Sequence, residues 1–163
     1  MSVLHSEWRG RISHWIRTLK NDLYRPLGEI ALSGCRTMEE LSLQEAEKLE
    51  YVPLSPGYTW GNSYEYCWMK GSIRLPEEAE GQWIVLDLKP QGESTLFVNG
   101  KAFGTYRADW VSEAHHYIED NILTTSGKAG DTYELMMEVY AGHYYPEAPT
   151  GGCATGPVLP GSY

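Results

Sequence analysis

Phenylalanine is nearly missing from this 163-residue chain: two residues, against 12 tyrosines and six tryptophans. Cysteine is scarce as well, and Cys35, Cys67 and Cys153 stand far apart with no C-x-x-C spacing. An odd, scattered set fits reduced thiols in a cytoplasm and not a disulfide framework. No apolar run approaches the roughly 20 residues of a membrane span. The opening MSVLHSEWRGRI has no apolar stretch behind a basic start, so it does not read as a secretory signal. Positive charge is also short, at 13 basic against 22 acidic residues and a formal charge of −9. Without a basic stripe, neither nucleic acid nor a membrane is an expected partner.

Catalytic patterns are missing too. There is no G-x-S-x-G nucleophile elbow. Adjacent His115 and His116 would point to opposite faces of a strand. In a loop they could share an ion, but no nearby Cys or His completes a ligand set, so no metal is expected in this chain. A glycosidase needs two carboxyl groups facing each other at ~5–9 Å. Glu65, Glu93, Asp109, Glu113 and Glu138 are available, yet no spacing pairs any two, and Glu134 with Glu138 reads as an outward, solvated row. No catalytic residue is assigned, and the chain alone is not expected to be an enzyme.

What is present is periodicity. Over WRGRISHWIRTLKNDLY, residues 8–24, Ile12, Trp15, Ile16, Leu19 and Leu23 fall at helical spacing, ended by Pro26 and Gly28. Thr37 with Glu40 three residues on suggests a second helix opened by a capping box. From Tyr51 the period changes. Met69, Gly71, Ile73 and Leu75 alternate with polar residues up to Pro76; Ile84, Leu86 and Leu88 alternate, and so do Tyr133, Leu135, Met137, Val139 and Ala141. In TLFVNGKAFGTY, Asn99-Gly100 predicts a two-residue type I′ hairpin, which needs positive φ at both central positions. The expected fold is mainly β, an antiparallel β-sandwich from about 64 to 142. The expected layout is an N-terminal helical segment (1–50) packed on the sandwich, the sandwich itself (51–145) and a Pro/Gly-rich tail or linker (146–163). Ending on that aperiodic run, the chain reads as a fragment.

Together GYTWGNSYEYCWMKGSIRLPE, GQWIVLDLKPQGESTLFVNGKAFGTY and YELMMEVYAGH resemble a known domain. It is the one preceding the catalytic barrel in bacterial α-mannosidases of glycoside hydrolase family 38, a galactose-binding-like jelly-roll sandwich. The match runs through Trp60-Gly61, the strand ending at Pro76, Trp83 to Leu88, Gly92-Glu93, Val98 to Gly100 and Tyr140 to His143, over roughly residues 57–145. The resemblance implies an accessory domain whose partner is the catalytic domain of the same polypeptide. Zinc and the catalytic aspartate would lie in that absent domain, and no position here matches them.

Sugars are bound by stacking their C–H faces on aromatic rings while carboxylates, amides and imidazoles take the hydroxyls. Three loops have that composition, giving Trp60 and Tyr64, then Asp109 and Trp110, then His143 and Tyr144 as candidate carbohydrate contacts. The same loops could instead cover the sandwich end or meet a neighbouring domain. Trp15 and Trp68 are assigned to packing, and the Asn-Gly hairpin to scaffold. A free-standing carbohydrate-binding module is the alternative function.

Overall fold

Alternating apolar residues can all be buried only when strands stack into layers, and the computed structural model shows that arrangement. It describes residues 3–22, 24–90, 92–107, 121–142 and 159–163. In chain order the elements are helix α1 (Val3–Asp22), strands β1 (Glu29–Ile30) and β2 (Ser33–Thr37), helix α2 (Leu43–Ala46), β3 (Val52–Pro53), β4 (Tyr66–Arg74), β5 (Ile84–Val85), β6 (Asp87–Lys89), β7 (Glu93–Val98), β8 (Lys101–Arg107), β9 (Ile122–Thr124), β10 (Thr132–Tyr140) and β11 (Leu159–Ser162). The strands form a six-stranded sheet in the order β3-β2-β4-β10-β7-β8, a three-stranded sheet β1-β11-β6 and a two-stranded pair β5-β9. Every pairing is antiparallel.

Between the layers, Met69, Ile73, Leu96, Leu135, Met137 and Val139 from the large sheet share one core with Ile30, Ile84, Leu86 and Leu88. The layers approach closely: a Cβ on Gly71 would lie 2.8 Å from Ile30 Cγ2. Ile84 and Leu88 read as one alternating strand, but the chain switches sheets at Leu86, with β5 pairing to β9 and β6 to β11. The Asn99-Gly100 hairpin forms as expected, with φ of 49° and 73°. Asn99 also fixes the turn to β10: its N–H donates to Glu134 O at 2.8 Å, and its Oδ1 accepts from Glu134 N at 2.9 Å.

Three expectations change. First, residues 1–50 are not one helical segment, because β1 and β2 join the sandwich. Ile30, Leu32 and Gly34 face inward at strand period, which the helical reading of this region overlooked. The capping box belongs to Ser42 and Glu45, whereas Thr37 ends β2. Second, α1 leaves its apolar stripe in water instead of burying it, and Trp15 is 72% exposed. Third, the Pro/Gly-rich tail supplies β11, the middle strand of its sheet. Gly161 permits this, since a Cβ there would sit 2.6 Å from Leu88 Cδ2.

Trp68 does pack, although on the opposite face of the large sheet from the main core. It is buried there, in register with Glu138 and Cys35, and stacks with Phe97 at a centroid distance of 6.2 Å. The segment around α2 lies on the same face: Lys70 donates to Glu47 O at 3.1 Å and sits 4.1 Å from the Tyr51 ring centroid.

Candidate functional site

Glu65 is the buried carboxylate among the described residues, and it organises the loop that precedes β4. Its Oε2 accepts from the Asn62 N–H at 2.8 Å, the Gly61 N–H at 3.2 Å and the Asn62 side-chain amide at 3.2 Å. Its Oε1 accepts from Arg36 Nε at 2.7 Å, with Nη2 2.6 Å away. Burial alone would raise the Glu65 pKa, but these donors and the guanidinium charge outweigh it and hold the carboxyl below its ordinary value. Arg36 is raised in turn, chiefly by its hydrogen bonds to Glu65 and Tyr58. A carboxylate so engaged is a brace, tuned away from general-acid work.

Held this way, the loop splits its two aromatics. Trp60 is turned into the core at 6% exposure, so its ring offers no open face for stacking, and its Nε1 has no hydrogen-bond partner among the described residues. Tyr64 is 58% exposed and has a φ of 64°, a left-handed conformation that costs a tyrosine about 1–2 kcal/mol. The backbone there is pinned by Tyr64 N–H donating to Gly142 O at 2.8 Å and Ala141 N–H to Glu65 O at 2.9 Å. The other four candidates, Asp109, Trp110, His143 and Tyr144, lie outside the described residues.

Strand register nevertheless fixes where the chain leaves for those residues. Tyr140 is opposite Tyr66 and Glu93, and Glu93 is opposite Arg107. The Trp60–Glu65 loop, the end of β8 and the end of β10 therefore share one end of the large sheet. Sequence reasoning misses Arg36, because a helical segment over 1–50 leaves no strand to carry it. Its even spacing behind Ile30, Leu32 and Gly34 is the signal that would have placed it at that end.

The remaining chemistry is spare. No group of three His, Cys, Asp or Glu among the described residues could hold a metal ion. Cys35 and Cys67 are unpaired, and burial pushes the Cys67 thiol up to about 12, making it unreactive. Among the described residues, no helix is long and apolar enough to cross a membrane.

The described strands form an antiparallel β-sandwich with a braced aromatic loop at one end of its large sheet. Residues 26–150 match the family model described as the alpha-mannosidase jelly roll domain, and the chain belongs to that family. The match takes in β1 to β10 and leaves out α1. A search of curated proteins gave no match.

Proposed function

We propose that this chain is the non-catalytic accessory sandwich of an α-mannosidase-like glycoside hydrolase. It supports the catalytic domain of the same polypeptide, and the sheet end carrying Tyr64 contacts carbohydrate near the substrate entrance. The carrying observation is the register that puts the Trp60–Glu65 loop, the end of β8 at Arg107 and the end of β10 at Tyr140 at one end of one sheet. The strained, exposed Tyr64 adds support, because such backbone strain clusters at ligand sites. Zinc and the nucleophile belong to the catalytic domain in this reading. The unpaired Cys35 and Cys67 support a reducing compartment, the cytoplasm.

The test is turnover of an aryl α-mannoside by the pure chain, with and without added zinc. No turnover is the expected result. Hydrolysis that disappears on chelation would overturn the non-catalytic reading. A free-standing carbohydrate-binding module shares the Tyr64 surface but needs no catalytic partner. It would be favoured by a natural coding sequence without a barrel.

A further inference from the structure

Helix α1 sets Trp8, Ile12, Trp15, Ile16 and Leu19 in the solvent, with exposures from 49% for Ile16 to 72% for Trp15. At the α-helical repeat these five positions form one stripe about 100° wide. Arg9 borders one side of the stripe and Arg11 the other. Isolated exposed hydrophobics are ordinary, but a contiguous stripe with two tryptophans is a contact surface without its partner.

Charge indicates what that partner is. Residues 3–22 carry Arg9, Arg11, Arg17 and Lys20 against Glu7 and Asp22, a net +2. Since the whole chain is −9, the remainder carries −11. Part of that charge is concentrated over residues 38–52, where Glu39, Glu40, Glu45, Glu47 and Glu50 face only Lys48, a net −4. All five glutamates are exposed, and Met38 and Val52, which flank them in sequence, are each 62% exposed. Val52 lies on β3, an edge strand of the large sheet. This acidic surface with apolar points complements a basic-flanked apolar helix.

We infer that α1 docks on the 38–52 surface of a second copy of this chain, and that the exchange is reciprocal, giving a two-fold dimer. The helix stripe covers the apolar points while the bordering Arg9 and Arg11 meet the glutamates. An anionic membrane suits the helix alone but is repelled by the −11 on the rest of the chain. The inference stands independently of the proposed accessory role.

Sedimentation velocity and light scattering on the 163-residue chain test it. At about 100 µM, where a contact of one helix per copy is populated, the mass should be twice 18.4 kDa. It should fall toward the monomer in about 1 M salt, where charge attraction is screened within ~3 Å. Trp15→Glu and Ile12→Glu should each give a monomer with unchanged circular dichroism, because both side chains are exposed. Glu47→Lys with Glu50→Lys should weaken dimerisation about tenfold, and adding Arg9→Glu with Arg11→Glu should restore it. A wild-type monomer at that concentration would overturn the inference. So would a dimer indifferent to Trp15→Glu, or co-sedimentation of monomeric chain with phosphatidylserine-containing vesicles.

Discussion

Arg36 Nε and Glu65 Oε1 meet at 2.7 Å across 29 residues of sequence, tying the end of β2 to the loop that opens β4. The same carboxylate holds Gly61 and Asn62, so one side chain fixes both the ion pair and the loop. Glu65→Gln would keep the shape while removing the charge. It should cost about 1–3 kcal/mol in denaturant unfolding, with Arg36→Met less than additive in the double variant. The folded pKa of Glu65 is lowered relative to the unfolded chain. Its contribution is therefore complete above the unfolded carboxylate pKa and lost as pH falls through the folded value. Wild type should lose more stability than Glu65→Gln as the solution is acidified below the ordinary carboxylate range. Parallel pH curves for the two proteins would refute the brace.

The hairpin turn offers a test of backbone strain without steric interference. A Cβ on Gly100 would meet nothing within 4 Å, yet its φ is 73°. Gly100→Val should then cost about 1–3 kcal/mol from conformation alone, since a β-branched residue resists positive φ. An unchanged denaturation midpoint would contradict the type I′ geometry.

Strand β11 should be indispensable although its sequence looks like linker. It pairs with β1 and β6, and Tyr163 N–H donates to Gly28 O at 3.2 Å while Leu27 N–H donates to Tyr163 O at 2.6 Å. Ending the chain after Val158 would leave both flanking strands unpaired and uncover Ile30 and Leu88. A loss of about 3 kcal/mol or more is expected, read by thermal melting. Gly161→Val should also destabilise, by about 1–3 kcal/mol, because its side chain would enter the space of Leu88.

These three cases also mark how far the sequence could be read. The hairpin was legible because Asn-Gly encodes its turn locally, and β4 and β10 were legible because long alternation admits one periodicity. Strand β11 was not: LPGS has no alternation, and it is a strand only because two partners and a close approach at Gly161 make it one. The stripe on α1 was read correctly as a stripe, but periodicity does not say whether a stripe is covered. Trp60 shows the same limit at the site. A tryptophan beside glycine in a polar loop looks like a stacking platform, and only the carboxylate brace of Glu65 reveals that the ring turns inward. The pairing of Glu65 with Arg36 spans 29 residues, which no local pattern encodes.

Tyr64 separates stability from recognition, and the two should move in opposite directions. Its φ of 64° is unfavourable for tyrosine and free for glycine. Relief of about 1–2 kcal/mol is opposed by roughly 0.5–1 kcal/mol of extra unfolded-state entropy, so Tyr64→Gly should leave stability unchanged or raise it by up to about 1.5 kcal/mol. The phenol ring, 58% exposed, is the accessible aromatic of its loop. If it stacks on a pyranose, binding should be weak, with Kd of order 1 mM, because one ring and a few exposed hydrogen bonds must offset the entropy of association. Titration with mannose and galactose, followed by NMR shifts, should then show saturable binding in wild type and none in Tyr64→Gly, whereas Asn99→Asp on the distant hairpin should bind normally. Equal binding by wild type and Tyr64→Gly would remove Tyr64 from the site. Loss of binding in a folded Asn99→Asp would move the site to the hairpin.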